Sequence, residues 1–312
     1  MAYNLKELSK RPERLTGGHR LCAGCGASPV IRAVLRAIKP EDKAVITSAT
    51  GCLEVSTCIY PYSAWTDSFI HSAFENAGAT ISGIAAAYEF LKKTNQVNQN
   101  YKFIAFGGDG GTYDIGLQAL SGAMERGHDI VYVCYDNGAY MNTGIQRSSA
   151  TPRFSDTTTS PIGNSIVGKM QPKKDLTMII MNHSIPYVAQ TAPIKNFKDL
   201  GEKAEKAIYK CGAAFVNVLA PCPRGWRYNT GDLLSITELA VETCVWPLFE
   251  VEDGKLTLNY IPKNKLPVED FLKPQGRFKH MFKSENVWMI EEFQKEIDKK
   301  WNFLLEFNGK TV

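Results

Sequence analysis

Two short stretches, Gly107-Gly108-Asp109-Gly110-Gly111 and Asp136-Asn137-Gly138-Ala139-Tyr140, set a carboxylate and a side-chain amide about 28 residues apart among small residues. With the main-chain carbonyl of Ala139 they make a set of hard oxygen donors. Such a set suits Mg²⁺, which is commonly shared between one or two protein carboxylates and the phosphates of a ligand. The glycines around Asp109 lack the Cβ atoms that would keep an anion away from the backbone, and they allow positive φ where the chain needs it. Read singly, the first stretch is equally a tight turn and the second equally a strand end.

Cysteines form a second set. Cys22 and Cys25 make a C-x-x-C in a glycine-rich turn, Cys52 closes Ser-Ala-Thr-Gly-Cys, and Cys222 lies in Ala-Pro-Cys-Pro. Four thiolates are the usual complement of a [4Fe–4S] cluster. The spacing is not the compact ferredoxin run, however, and C-x-x-C suits a structural zinc or a redox pair as well. Cys58, Cys134, Cys211 and Cys244 fall on apolar stretches and read as core filler, with Cys58 the substitute ligand should Cys52 not serve. His19, near the C-x-x-C, either contacts a cluster sulfur or caps a turn.

These residues need a scaffold. Tyr101–Gly108 reads as a strand, residues 114–127 as a helix stopped by Gly127, and residues 129–137 as a second strand, which is the βαβ unit of a parallel sheet. Asp109 and Asn137 then lie just beyond the carboxyl ends of consecutive strands, where open α/β sheets bind ligands. A helix starting near Tyr113 would point its amides at the same space. Earlier in the chain, Ser28–Lys39 reads as a helix with Val30, Ile31, Val34, Leu35 and Ile38 on one face, Ser28 as cap and Pro29 in the first turn. Ala44–Thr47 reads as a buried strand, and residues 76–93 as a helix so rich in Ala and Gly that a close neighbour is expected.

Gly144–Lys174 is a long polar segment, and connections of that length are usually functional or disordered. Residues 175–192 and 197–220 read as further helix–strand units. A hairpin is expected around Asp253-Gly254, and residues 284–307 as an amphipathic helix packing on its own domain or on a partner. The fold class expected is a doubly wound, mostly parallel α/β sheet over residues 1–240, with a hairpin and helix extension over 241–312.

Composition bounds the function. With 312 residues, 44% hydrophobic and 22% charged, the chain is an ordinary globular protein. A net charge of +4 without a basic run argues against nucleic acid. The charged start and the lack of a long apolar stretch argue against a secretory signal or a membrane span, so a cytoplasmic protein is expected. There, eight cysteines point to metal or redox chemistry more than to disulfides.

The segment from Phe106 to Asn137 resembles the β subunit of thiamine-diphosphate-dependent 2-oxoacid:ferredoxin oxidoreductases, pyruvate:ferredoxin oxidoreductase above all. The likeness extends through GHRLCAGCGAS, ATGCLEVSTCIYPYSAW, HSAFENAGATISG, YMNTG, APCPRGW and AVETCVWPLFEV. It implies the thiamine-diphosphate-binding fold. It also implies a cofactor held by Thr50, Gly51, Gly108, Asp109, Gly110, Gly111, Asn137, Ala139, Tyr140, Asn142 and Thr143, with Mg²⁺ on Asp109, Asn137 and Ala139. Cys22, Cys25, Cys52 and Cys222 would hold a [4Fe–4S] cluster.

The implied partners are an α subunit, γ/δ ferredoxin-like subunits, ferredoxin as electron acceptor and a small 2-oxoacid, with coenzyme A in pyruvate-type enzymes. The Glu that activates the thiazolium is expected from a partner subunit, so Glu54 and Glu75 are read as ion-pair or capping residues. One departure stands out: Gly138 occupies a position where pyruvate-type relatives carry an acid. A lost negative charge there would favour a dianion, which makes oxalate the alternative substrate. A zinc-stabilised, non-catalytic nucleotide-binding module is the alternative from another class.

Overall fold

The computed structural model describes residues 4–163 and 165–312. Its centre is an eight-stranded sheet. In chain order the strands are β1 (Lys43–Ala49), β2 (Ser68–Ser72), β3 (Tyr101–Gly108), β4 (Val131–Asp136), β5 (Tyr187–Thr191), β6 (Ala214–Leu219), β7 (Phe249–Glu252) and β8 (Lys255–Leu258). They lie side by side as β8-β7-β5-β6-β4-β3-β1-β2. All pairs from β5 to β2 are parallel, and the two contacts made by β7 are antiparallel.

The central strands are buried on both faces, so their side chains serve two cores in alternation. In β4, Val131, Val133 and Tyr135 enter one core, while Tyr132 and Cys134 enter the other. In β3, Ile104 and Phe106 go one way, and Phe103 and Ala105 the other. The first core is closed by the helices Ala27–Arg36 and Lys198–Tyr209, the second by Ala77–Lys93, Leu117–Arg126 and Trp288–Phe307.

The expected close neighbour of the Ala/Gly-rich helix is Leu117–Arg126, since a Cβ on Gly78 would come 3.1 Å from the carbonyl oxygen of Ala119. The hairpin lies where Asp253-Gly254 predicts it and extends the same sheet through β7. The C-terminal helix buries Met289, Phe293, Ile297, Trp301 and Leu304 in the second core.

Several local expectations need correction. The first long helix begins at Ala27 without a side-chain cap, and Ser28 lies inside it. Strand β1 runs two residues past Thr47, to Ala49. Cys134 and Cys244 are buried and Cys58 is partly so, but Cys211 is exposed, because it lies in the turn after Lys198–Tyr209 instead of in a strand. The 144–174 segment folds back onto the sheet edge, burying Ser148, Thr151, Phe154 and Lys169. The Lys169 ammonium fixes it by donating to the carbonyls of Ser149 at 3.1 Å and Pro172 at 3.2 Å.

Candidate functional site

Four adjacent parallel strands, β6, β4, β3 and β1, end at one edge of the sheet, and each carries a chemically capable residue just beyond its end. The pairings Asp136 with Leu219, Gly108 with Tyr135 and Ser48 with Phe106 keep these ends nearly level. They deliver Cys222, Asn137, Asp109 and the Thr50-Gly51-Cys52 turn to one place. Arrival of strand ends at a common edge is why parallel α/β sheets put their ligands there.

After Asp109 the chain enters a π-helical turn over Gly110–Ile115 before the α-helix Leu117–Arg126. Helical structure thus starts before Tyr113, and such turns frequently mark functional sites. None of Gly107, Gly108, Gly110 and Gly111 takes positive φ. Space is what requires them: a Cβ at Gly107 would lie 2.3 Å from Tyr132 Oη, and one at Gly111 would lie 2.7 Å from the Phe74 carbonyl.

One terminal atom of the Asn137 side-chain amide lies 2.8 Å from both Asp109 Oδ1 and the Ala139 carbonyl; as NH₂ it donates to both, and as oxygen it makes a third acceptor beside them. Three acceptors facing one another repel unless a cation lies among them or the amide rotates to offer its NH₂. Neighbouring ligands on octahedral Mg²⁺, each about 2.0–2.1 Å from the metal, stand about 2.9 Å apart. The donor set therefore fits the ion in both chemistry and spacing.

Asp109 is fully buried. Burial and the neighbouring Asp136 push its carboxyl up to about 7, while the Ser148 hydroxyl, donating to Oδ2 at 2.5 Å, and the Lys173 charge pull the other way. Asp136, equally enclosed, accepts from the Gly138 amide at 3.0 Å, Tyr113 Oη at 2.7 Å and Lys173 Nζ at 2.5 Å. Two carboxylates this close and this dry call for positive charge. Lys173 and the buried guanidinium of Arg277 supply part of it, and a divalent ion would add to it.

One cleft brings the proposed cofactor residues together. Thr50 and Gly51 line it from β1, Gly108, Asp109, Gly110 and Gly111 from β3, and Asn137, Ala139, Tyr140, Asn142 and Thr143 from β4; Cys52, Phe74, Tyr135 and Met141 complete the wall. Tyr140 Oη donates to the Gly110 carbonyl at 2.8 Å and so ties the two loops together. Gly138 is not part of the lining. Its φ is +77°, and a Cβ there would come 3.1 Å from Arg277 Nη1, so a side chain at 138 faces that guanidinium instead of the cleft.

The four cysteines lie on three segments at this edge of the sheet. Burial pushes the Cys52 thiol up to about 12, and the charges of Cys222, Cys25, Cys22 and Asp109 add to the rise in that order. Burial lifts Cys25 to about 11, against the amides of Ala27 and Ser28, and it raises Cys222 against those of Gly225 and Arg224. The loops interlock, with the Gly26 amide donating to the Pro221 carbonyl at 2.9 Å and Tyr228 Oη to the Gly24 carbonyl at 2.9 Å.

Among the described residues no group of three or more His, Cys, Asp or Glu closes to the spacing of a single metal ion. His19 accepts from the Leu21 amide at 3.4 Å and approaches Ser28 and Arg32, the arrangement of a turn cap.

Four residues that matter here carried no sequence signal. Ser148 sits in the polar loop, Asp136 lies inside the strand read over residues 129–137, and Trp226 and Arg277 lie far along the chain. Trp226 Nε1 donates to the Asn137 carbonyl at 2.6 Å, linking the Cys222 turn to the loop after β4. Only the burial of a charged residue distinguishes Asp136 and Arg277, and burial is a tertiary property.

Residues 49–218 match the family model described as thiamine pyrophosphate enzyme, C-terminal TPP binding domain. The pyruvate synthase subunit PorB of Thermotoga maritima is 47% identical over 100% of this chain and 98% of its own length. The PorB of Methanocaldococcus jannaschii is 50% identical over 94% of this chain and 97% of its own. Among solved structures, a 2-oxoglutarate:ferredoxin oxidoreductase from Magnetococcus marinus shares the fold, with a TM-score of 0.55 at 21% identity, covering 73% of this chain and 78% of that one. The chain belongs to the β-subunit family of thiamine-diphosphate-dependent 2-oxoacid:ferredoxin oxidoreductases, on the pyruvate synthase side.

Proposed function

We propose that this chain forms the cofactor-holding half of a pyruvate-oxidising active site. Asp109, Asn137 and the Ala139 carbonyl would hold Mg²⁺ and, through it, thiamine diphosphate, while Cys22, Cys25, Cys52 and Cys222 would hold a [4Fe–4S] cluster. The observation that carries this reading is the position of Cys52, which lines the same cleft as Asp109, while the turns that carry Cys25 and Cys222 are joined by the hydrogen bond from the Gly26 amide to the Pro221 carbonyl. Thiamine diphosphate supplies carbanion stabilisation at a decarboxylated 2-oxoacid, and an iron–sulfur cluster supplies a one-electron acceptor.

The residues of the chain do the holding. The glycines flanking Asp109 keep the backbone within reach of a diphosphate, and Thr50, Asn142 and Thr143 offer hydroxyl and amide groups at the mouth. Tyr135, buried beneath the Thr50–Cys52 turn, keeps water from the floor. The amides aimed at Cys25 and Cys222 favour their thiolates once a metal displaces the protons.

Partner subunits would supply the activating Glu and the rest of the substrate pocket, ferredoxin would take the electrons, and coenzyme A would take the acyl group. Because a side chain at 138 faces Arg277, the missing acid there argues for no particular substrate, and oxalate loses its support. Among the described residues no helix is long and apolar enough to cross a membrane.

The test is anaerobic purification of the native complex, metal and cofactor analysis, and assays with pyruvate, other 2-oxoacids and oxalate, with and without coenzyme A. Coenzyme-A-dependent oxidation of pyruvate is expected. Oxidation of oxalate without pyruvate turnover, or a colourless zinc protein, would reject the reading.

A further inference from the structure

Arg277 is buried at 2% exposure between the Cys222 turn and the Asp136–Gly138 loop. Its guanidinium carbon stands 3.9 Å from the centroid of the Trp226 ring, one helical turn past Cys222. Its Nε donates to Gln275 Oε1 at 2.9 Å, and its Nη2 is enclosed without a hydrogen-bond partner among the described residues. Gly138, opposite Nη1, has no side chain to pair it. The charges that act on it are, from the largest, those of Asp136 and Cys222, with Arg227 opposing and Asp109 weaker. Burial lowers Arg277 only to about 9, so at neutral pH it keeps its charge.

A guanidinium this deep with an unpartnered N–H is costly unless negative charge lies nearby. Asp136 already has Lys173, and Asp109 faces the proposed metal ion. What remains is Cys222. Four thiolates around a four-iron core leave a net negative centre that becomes more negative when an electron arrives, and charge near the centre sets its potential. We propose that Arg277 is the fixed counter-cation of an iron–sulfur centre at Cys222 and makes that centre easier to reduce. This inference rests on the cluster reading above and goes beyond it, by naming a positioning residue that binds neither metal nor substrate.

The experiment is a potentiometric titration of the whole anaerobic complex followed by electron paramagnetic resonance. This chain's centre is identified as the signal lost in Cys52→Ser. In Arg277→Gln, the reduction equilibrium of that signal is expected to move at least tenfold toward the oxidised form, about 59 mV for one electron. Arg277→Lys keeps the charge and should move it much less. Gln275→Glu leaves the arginine in place but pairs it, and should shift the potential in the same direction as Arg277→Gln. It also decides the matter if Arg277→Gln fails to assemble.

Wild-type iron content with an unmoved potential in Gln275→Glu or Arg277→Gln would overturn the inference. A purely structural role would instead lower iron content and thermal midpoint in Arg277→Gln, with the surviving centres at their original potential. If the wild-type complex shows no signal that is lost in Cys52→Ser or, failing that, in Cys58→Ser, the cluster reading falls first, before any Arg277 variant is made.

Discussion

Ser148 donates a 2.5 Å hydrogen bond to Oδ2 of Asp109, from 39 residues away in the chain. The other oxygen of that carboxylate faces Asn137, so Ser148 fixes which oxygen is left for a metal. Losing such an outer partner typically costs 10–100-fold in metal affinity. Ser148→Ala should therefore weaken Mg²⁺-dependent binding of thiamine diphosphate by roughly 10–100-fold, and Asp109→Asn should weaken it further. Calorimetric titration of cofactor-stripped complex at fixed Mg²⁺ reads both. Equal affinities in Ser148→Ala and wild type would remove Ser148 from the site.

Cys52 is the thiol shared between the cleft and the cysteine group. Cys52→Ser should purify with about four fewer irons per chain than wild type, and with less of the brown absorbance that bleaches in air. Cys211→Ser, at an exposed turn, should change neither. Iron analysis of complexes purified side by side without oxygen distinguishes the two. An unchanged iron count in Cys52→Ser would mean that another thiol, Cys58 first, takes its place.

Acid stability should depend on Glu250. Burial pushes its carboxyl up, but hydrogen bonds from Lys206 at 2.7 Å, Tyr187 at 2.5 Å and Asn259 at 3.1 Å outweigh burial and hold it below the usual carboxylate range. Its folded value lies below its unfolded one. The unfolded chain therefore binds more protons in that window, and stability falls as the pH drops through it. Glu250→Gln should cost about 1.5–3 kcal/mol at pH 7 and nearly nothing once the folded carboxyl is protonated. Denaturant midpoints of the two proteins, followed from pH 7 downward, should draw together as the folded carboxyl takes up its proton.

Two glycines should respond with opposite sign. Gly83 lies inside the helix Ala77–Lys93 with open space where a Cβ would go, so Gly83→Ala should stabilise by about 0.4–1 kcal/mol. At Gly107 a Cβ would meet Tyr132 Oη at 2.3 Å and Thr112 Oγ1 at 2.6 Å. Gly107→Ala should destabilise by about 1–3 kcal/mol and disturb the Asp109 turn. Thermal melts of the two variants should fall on either side of wild type.

Much of this was legible in the sequence because it is local. The strand Tyr101–Gly108, the helix stopped by Gly127 and the hairpin at Asp253-Gly254 follow from side-chain period and turn chemistry, which a dozen neighbouring residues decide. Strand ends in a parallel sheet share one edge, so Asp109 and Asn137 could be placed near each other from their positions alone. The C-x-x-C motif and the spacing from Asp109 to Asn137 are local in the same sense.

Tertiary packing decided the rest. It set Ser148 on Asp109 across a long loop, put Asp136 in a dry pocket beside Lys173, and turned position 138 toward Arg277 instead of toward the cleft. It also left a cation stacked on Trp226 beside Cys222. Sequence spacing fixes which residues follow one another along a strand, but the cost of a buried charge depends on every group around it. Only the folded chain supplies those groups.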